Sequence, residues 1–221
     1  MSHGNRLSGL ELEVLTWELV KRNMTIEFIS DWMELKEDLH NSTALIIALP
    51  TISYSREEVE DVRRFVEDSG ILIFFYDPAG EYSKTPESIM MINSIANVFR
   101  IAFASGYLYN EEQYYGIYRN IYVTEFAESP LTKNTSSLVF FTATYIRSDR
   151  DGIAWPPENT YSSQSEKPGR YPVITFSRNN GTVIAIGDIT FLTEPYCYLE
   201  DNYKLITSLA DYIASSKQLR S

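Results

Sequence analysis

Two acidic residues stand where open α/β sheets most often bind ligands. Asp77 directly follows the apolar run Ile71–Tyr76, and Asp188 directly follows Thr182–Gly187. Both runs have the length of buried strands, so we expect both carboxylates at the carboxyl ends of strands, where such sheets bind ligands. Two carboxylates that converge there could hold a hard cation or orient a polar ligand. The plainer interpretation, which we favour, is that Asp77 makes an Asx turn before Pro78 and that Asp188 caps the segment after it.

The residues for nucleophilic catalysis do not form a set. Cys197 is the only cysteine of the chain, and the two histidines are His3 and His40. Cysteine–histidine catalysis needs a thiolate and a base within hydrogen-bond reach. Neither histidine follows Cys197, and His40 lies at a predicted helix end, where it complements the helix dipole. Gly-x-Ser-x-Gly, Walker and dinucleotide-binding patterns are absent. The sequence therefore predicts no enzyme, no cofactor and no metal site.

Aromatic residues offer a contact surface instead. Six tyrosines crowd residues 107–122, and Trp155, Tyr161 and Tyr171 border the long polar segment 147–170. Exposed aromatic side chains near two prolines suit contact with a protein or a saccharide. Alternatively, the tyrosines cover a half-buried antiparallel sheet and keep their hydroxyls in water. The residues selected as a candidate partner surface are Tyr114, Tyr115, Trp155 and Tyr161.

Composition limits the classes of partner. The chain has 221 residues, of which 44% are hydrophobic, which is enough for a sizeable core. The formal net charge of −11 argues against nucleic acid, because no basic stripe exists to neutralise phosphates, and it disfavours an anionic membrane surface. A single cysteine excludes an internal disulfide, and no apolar run approaches transmembrane length.

A strand–helix–strand unit organises the predicted fold. Ala44–Leu49 and Ile71–Tyr76 are continuous apolar runs of strand length. Between them, Ser55 and Glu58 have the spacing of a capping box, and apolar residues then recur at helical spacing. Gly70 is expected to be the left-handed residue that ends this helix. Two strands joined in this way should be parallel, with a right-handed crossover.

Further elements surround this unit. Thr25–Ile29 predicts another parallel strand, and Asn180-Gly181 predicts a hairpin of Tyr171–Ser177 with Thr182–Gly187. Segment 147–170 is too long and polar for a plain connection, which predicts a mobile lid or a binding loop. The sequence thus predicts a single α/β domain, a three-layer sandwich with a central, mostly parallel, flavodoxin-like sheet and antiparallel additions in the second half. The predicted outer helices are Ser8–Lys21, Glu87–Phe99 and Asn202–Ala214.

Several short motifs together carry a family resemblance. They are Ser2-His3-Gly4-Asn5, Ile46–Pro50 before the Ser55–Phe65 helix, Ser69–Leu72, Ser129–Thr132, and Gly181–Asp188 with Asp201-Asn202 after it. The combination resembles the class I glutamine amidotransferase-like superfamily, and within it the branch with the GldG-type domain of gliding and ABC-transport-associated proteins; an intraflagellar-transport domain is a further relative. The resemblance spans nearly all of residues 1–221 and implies that His3 lies near the strand-end acids. It also implies a mostly non-enzymatic role in assemblies at membranes.

Two departures from the family pattern matter. The family has a strand before the Ser-His-Gly loop, whereas this chain starts at that loop, so that strand is lacking, cut off or supplied by another chain. A missing strand would leave an open sheet edge, which invites a partner. Catalytic members of the superfamily carry a nucleophilic cysteine in a tight strand-to-helix elbow. The equivalent turn here, Tyr76–Gly80, has neither Cys nor Ser at its tip.

The favoured hypothesis is a non-catalytic binding or scaffold domain of a membrane-linked protein assembly. Its partner would be a protein, such as a transporter component, or a second copy paired at the open edge. The alternative is a domain for a small ligand or saccharide, with His3, Asp77, Asp188 and Asn202 lining a pocket at the strand-end edge. A metal-dependent hydrolase is the least favoured. A complete chain predicts a cytoplasmic location, and a piece of a longer protein predicts an extracytoplasmic, membrane-associated one.

Overall fold

The computed structural model describes residues 11–29, 32–79, 88–148 and 151–220. Its helices are α1 Glu13–Lys21, α2 Trp32–Asp38, α3 Arg56–Glu67, α4 Ser88–Ala96 and α5 Asn202–Arg220. Its strands are β1 Ala44–Ala48, β2 Ile71–Phe75, β3 Ala102–Phe103, β4 Leu108–Tyr109, β5 Asn120–Val123, β6 Glu125–Phe126, β7 Leu138–Phe141, β8 Ile146–Arg147, β9 Gly152–Trp155, β10 Tyr161–Ser162, β11 Ile174–Arg178 and β12 Thr182–Ile186. None of the helices within these ranges combines the length and apolar character needed to cross a membrane.

A six-stranded mixed sheet has the order β1-β2-β12-β11-β9-β6. The first three strands are parallel, whereas β11, β9 and β6 add on in antiparallel pairs. The α/β class is confirmed, but the prediction of a mostly parallel sheet is wrong, because three of the five strand pairs are antiparallel. The predicted strand at Thr25–Ile29 is also wrong. Only Ile26 and Ile29 in it are partly buried, a spacing of three that does not suit a strand, and Phe28 is exposed.

The strand–helix–strand unit forms as predicted. β1 and β2 pair in parallel from Ala44 opposite Ile71 to Ala48 opposite Phe75. The capping box at the start of α3 is present, because the Glu58 amide donates to the Ser55 hydroxyl and the Ser55 amide donates to the Glu58 carboxylate.

The end of α3 differs from the prediction. The left-handed residue is Ser69, with φ of +70°, and not Gly70. The Gly70 amide donates to the Phe65 carbonyl at 2.9 Å, which closes a Schellman motif. Gly70 is needed for a steric reason, since a Cβ there would lie 2.5 Å from the Phe65 carbonyl oxygen.

β2 divides the core into two clusters because successive side chains of a strand point to opposite faces. Ile71, Ile73 and Phe75 pack with apolar residues of α1 and α5, and Leu72 and Phe74 pack with those of α2, α3 and α4. All five side chains are buried. The sheet therefore carries helices on both faces, and β2 lies at its centre.

Segment 147–170, predicted as a long mobile lid or binding loop, contains two strands that the prediction did not include. Gly152–Trp155 forms β9, which lies between β11 and β6 in the main sheet, and Tyr161–Ser162 forms β10, which pairs with β4. The sequence signal for β9 is weak because only Ile153 and Ala154 in it are fully buried. Tertiary pairing, rather than local propensity, selects this strand.

The hairpin of β11 and β12 is confirmed, and its two ends pack against backbone. A Cβ at Gly181 would lie 2.0 Å from the Val66 carbonyl oxygen at the end of α3. A Cβ at Gly187 would lie 2.1 Å from the carbonyl oxygen of Thr144, whose amide donates to the Gly187 carbonyl at 2.9 Å. Glycine at these positions lets β12 lie directly against its neighbours.

A buried carboxylate ties α1 to α5. Glu18 accepts hydrogen bonds from Lys21, Arg22 and Tyr203, and Arg22 also donates to Asp211 on α5. Burial opposes ionisation of Glu18, but these three donors outweigh it and lower its pKa to about 2. The charge is therefore part of the contact between the two helices.

Replacement of Gly187 by alanine should destabilise the fold by about 3 kcal/mol, because the new methyl group meets backbone that cannot move aside. Gly116 is the matched control: its φ is +73° and its surroundings are open, so alanine there should cost about 1 kcal/mol of conformational strain. Chemical denaturation of both variants measures the difference. Equal losses would show that the Gly187 contact relaxes.

Glu18→Gln should lower the free energy of unfolding at pH 7 by about 2 kcal/mol, because charge-assisted bonds become neutral ones. A carboxylate with a lowered pKa stabilises the fold above its ordinary pKa, and that contribution fades as the pH falls towards 2. The gap between the variant and the wild type should thus narrow from pH 7 to pH 3 in denaturant titrations. Asp211→Asn, at a carboxylate that is 70% exposed, is the control and should change stability by less than about 1 kcal/mol. A gap that stays constant with pH would contradict this account of Glu18.

Candidate functional site

The two strand-end acids lie together at one edge of the sheet. β2 and β12 are parallel neighbours, so the residues that follow them emerge side by side. Asp77 is 6% exposed and Asp188 is fully buried. Thr190 joins them, because its hydroxyl donates to Asp77 Oδ2 at 2.9 Å and its amide donates to Asp188 Oδ1 at 2.8 Å.

Both carboxylates also hold the turns that follow their strands. Asp77 Oδ1 accepts from the Ala79 amide at 2.7 Å, which is the Asx turn expected before Pro78. Asp188 caps its own turn through Thr190, and its Oδ2 accepts from the Phe141 amide of β7 at 2.9 Å. The sequence left two interpretations open, and the geometry combines them: the acids converge, and their oxygens accept hydrogen bonds from the protein itself.

The pair resists double ionisation. Burial raises the pKa of the Asp77 carboxyl, although the bonds from Ala79 and Thr190 oppose the shift. Burial and, after it, the charge on Asp77 raise the pKa of Asp188 well above its usual range. Two nearby buried carboxylates favour a state in which a proton remains on the pair.

The side chain of Asn202 is hydrogen-bonded to backbone groups of the fold. Its side-chain oxygen accepts from the Val139 amide at 3.1 Å, and its side-chain nitrogen donates to the carbonyls of Val139 and Tyr196 at 2.9 and 3.0 Å. It therefore holds β7 and the 3₁₀ turn Tyr196–Tyr198 at the start of α5. His3, the fourth predicted ligand-binding residue, lies outside the described residues.

Cys197 and His40 are the other side chains that the sequence offered for chemistry. Cys197 is buried in the turn Tyr196–Tyr198, and burial, with the nearby Glu194 charge, raises the pKa of its thiol. His40 is exposed in the 3₁₀ turn Leu39–Asn41. Across the ranges that the structure describes, no three His, Cys, Asp or Glu side chains come together as metal ligands would.

The tyrosines of residues 107–122 do gather, and Tyr161 joins them. β4 pairs with β10 so that Tyr109 lies opposite Tyr161, and their rings stack at 5.4 Å with a 20° tilt. Tyr118 meets Tyr109 edge-on at 5.9 Å, and Tyr107 lies 6.3 Å from Tyr109. Of the four residues predicted as a partner surface, Tyr161 belongs to this group.

The other three predicted surface residues have different settings. Tyr114 and Tyr115 are exposed on the adjoining loop, and the Tyr115 ring meets Phe141 edge-on at 6.3 Å. Phe141 also contacts Tyr196 at 4.5 Å and donates its amide to Asp188. Trp155 is partly covered, because the Arg170 guanidinium lies 4.2 Å from the centre of its ring.

Sequence reasoning missed two residues that build these sites. Thr190 carries the contact between the acids, and no motif marks it. Asn110 is buried and organises the tyrosine loop: its oxygen accepts from the amides of Glu112 and Gln113, and its nitrogen donates to Thr160 at 3.1 Å. An Asn before two polar residues is an Asx-turn signal, so Asn110 could have been found.

Comparison with models of protein families finds no match, and comparison with curated proteins likewise finds none. Solved structures are similar in fold. The mmIFT52 N-terminal domain matches with a TM-score of 0.76 over 96% of this chain and 95% of that chain, at 13% identity. The cytoplasmic protein STM3548 from Salmonella typhimurium has a TM-score of 0.58 at 13% identity, over 91% of this chain and 86% of that chain. A ThuA-like protein from Bacteroides uniformis has a TM-score of 0.53 at 14% identity, over 95% of this chain and 87% of that chain. At such identities the similarity concerns the fold.

Asp77→Asn should stabilise the protein above the ordinary carboxyl pKa. The asparagine oxygen keeps the Ala79 bond, and its nitrogen can donate to the Thr190 hydroxyl, so the variant removes only the charge. A raised folded-state pKa means that the wild type loses stability as the pH rises from the ordinary carboxyl pKa to the raised one. The gain should therefore be small at pH 4 and reach about 2–4 °C in Tm at pH 8, the shift that about 1 kcal/mol produces in a domain of this size.

The control is Glu37→Gln, at an exposed acid on α2, which should leave the curve of Tm against pH unchanged. Thermal melts from pH 4 to pH 8 provide the measurement. Loss of stability in Asp77→Asn at pH 8 would mean that the Asp77 charge is needed in the fold, against the shared-proton description.

Proposed function

We propose that this chain is a non-catalytic binding domain that docks a protein partner in an assembly. The observation that carries the proposal is the loop Glu111–Tyr118, every residue of which is exposed. Four large apolar side chains of this loop face solvent, where isolated proteins rarely group such residues. Tyrosine is also enriched at protein interfaces. The four are Tyr114, Tyr115, Ile117 and Tyr118.

The loop is held in place, which favours binding. The Asn110 amide donates to the Tyr118 carbonyl at 2.9 Å, so the loop closes on itself. Inside it, the Tyr115 amide donates to the Asn120 carbonyl at 2.8 Å. A surface that is fixed before contact loses less conformational entropy when a partner binds.

The chemistry of the interior agrees with a non-catalytic role. Asp77 and Asp188 accept hydrogen bonds from within the fold, and the thiol of Cys197 is buried with a raised pKa. Nucleophilic cysteines have lowered pKa values and exposed surroundings. The strand-end edge is thus better suited to hold turns than to perform a reaction.

The resemblance to the glutamine amidotransferase-like superfamily supports the same proposal. It implies that the helices and the sheet form a three-layer sandwich, and that the domain acts beside a membrane transporter component. A second copy of the chain is a further partner to consider, because β1 is an edge strand of the main sheet. Both partners would be proteins.

A small-ligand or saccharide site is the second candidate, and the buried acid pair is the observation that favours it. A polar ligand would have to replace the hydrogen bonds that Ala79 and Thr190 now give to the carboxylates. Such binding would raise the Tm of the wild type and leave that of Asp188→Ala unchanged.

The test of the proposal is quantitative recovery of partners from membrane and soluble fractions of the source cell. Wild type should recover a reproducible set of proteins, and Tyr114→Ser/Tyr115→Ser should recover at least about tenfold less of it, as expected when an interface loses aromatic anchors. Met90→Ser is the control, because Met90 is 67% exposed on α4, and its recovery should match that of the wild type. The proposal fails if both variants recover the set equally, or if the chain hydrolyses glutamine or simple esters and Cys197→Ala abolishes that activity.

A further inference from the structure

Four tyrosines form a continuous aromatic surface, which we call the tyrosine platform: Tyr107, Tyr109, Tyr118 and Tyr161. The stacked pair Tyr109 and Tyr161 lies across the β4–β10 ladder, and Tyr118 stands at 89° to Tyr109. Tyr118 is 46% exposed, and the other three are half-buried. The rings thus brace one another while part of the surface stays open to solvent.

Carboxylates rim the platform. Glu111 is exposed two residues after Tyr109, and the Glu166 amide donates to the Ser162 carbonyl at 2.8 Å, which places Glu166 near Tyr161. Burial raises the pKa of the Tyr109 hydroxyl, and the negative charges of Glu111 and Glu166 raise it further. Glu112 is fixed beside them, because Asn159 donates to it at 2.9 Å. An aromatic surface with a negative rim attracts cations both through the ring faces and through the carboxylates.

At another place in the chain, an arginine already lies between an aromatic ring and a carboxylate. The Arg170 guanidinium lies 4.2 Å from the centre of the Trp155 ring, and Arg170 Nε lies 3.5 Å from a carboxylate oxygen of Glu125. On the platform itself, the Arg119 guanidinium lies 5.7 Å from the centre of the Tyr107 ring. Arginine between an aromatic face and a carboxylate is therefore an arrangement that this fold already uses.

Arg119 lies over Tyr107, but other rings of the platform offer the same parts to a cation from elsewhere. Within the residues that the structure describes, the arginine and lysine side chains found over aromatic rings lie on Trp17, Trp155, Tyr107 and Tyr145, and none lies on Tyr118 or Tyr161. Lys167 is the other basic residue in this region, and it is exposed next to Glu166. The rings of Tyr118 and Tyr161 and the exposed carboxylates of Glu111 and Glu166 can thus meet a group from another molecule.

We propose that the tyrosine platform binds an arginine side chain of the protein partner, with its guanidinium over Tyr118 or Tyr161 and within reach of Glu111 or Glu166. The inference rests on the proposed function and adds the chemistry of the partner. Arginine fits better than lysine, because its planar group stacks on rings while its edge donates to a carboxylate. The partner segment is therefore basic, in keeping with the net charge of −11.

The probe is a fluorescein-labelled heptapeptide with three arginines separated by Gly-Ser pairs, and binding to the whole chain is measured by anisotropy at 150 mM NaCl. The peptide should bind the wild type, and Tyr118→Leu/Tyr161→Leu should weaken it about tenfold, as two cation–π contacts would. Glu166→Gln should weaken binding about threefold. The same peptide with lysine in place of arginine should bind about threefold more weakly to the wild type.

Tyr198→Leu is the matched control, because Tyr198 is 58% exposed and lies outside the platform. It should bind the arginine peptide as the wild type does, which separates ring contact from general attraction of a polycation to an acidic protein. Circular dichroism and Tm establish that each variant is folded before it is compared.

Equal binding of the arginine peptide to the wild type and to the folded double variant overturns the arginine assignment, even if partner recovery still depends on Tyr114 and Tyr115. Equal weakening by Tyr198→Leu overturns it as well. Ring-dependent, arginine-selective binding supports it, even if the recovery experiment returns no partner. The two proposals can therefore fail separately.

Discussion

The carboxylate of Asp188 joins parts of the chain that are otherwise far apart. It lies at the end of β12, is fully buried, and accepts hydrogen bonds from the backbone amides of Phe141 and Thr190. A buried carboxylate without partners would destabilise a fold by several kcal/mol, so these bonds are a condition for its presence. They tie the parallel half of the sheet to β7, and Thr190 extends the connection to Asp77 at the end of β2.

The aromatic surface rests on this polar interior. The amide of Phe141 donates a hydrogen bond to Asp188, and the ring of Phe141 packs against Tyr115 and Tyr196. Asn202 holds the same strand two residues earlier, at Val139. β7 is therefore held by two buried polar side chains, and the exposed ring of Tyr115 packs against this strand. A rigid support is what lets exposed aromatic side chains bind without a large entropic penalty.

The parts of the fold that depend on local pattern could be predicted from sequence. β1, α3 and β2 follow from apolar runs, a capping box and a helix-ending turn, and the hairpin of β11 and β12 follows from Asn180-Gly181. β9 could not be predicted in this way, since two buried residues define it and its partners are distant in sequence. The position of Asp77 and of Asp188 at strand ends was predictable from the apolar runs before them, whereas the parallel pairing of β2 with β12 that makes them neighbours was not predicted. Their connection through Thr190 was not, because it depends on how a later turn folds back.

The division of roles between the sheet edge and the loops has a physical reason. In open α/β sheets the strand-end edge binds ligands when it leaves polar groups without partners. Here that edge contains two acids whose pKa values are raised by burial and whose oxygens accept hydrogen bonds from their own turns. A ligand would have to compete with bonds already made in a desolvated site, where each broken bond costs about 1–3 kcal/mol. At the tyrosine platform, by contrast, the ring of Tyr118 and the carboxylates of Glu111 and Glu166 are exposed to solvent. Binding energy is therefore more readily gained on the loops, and the sheet serves to hold them in place.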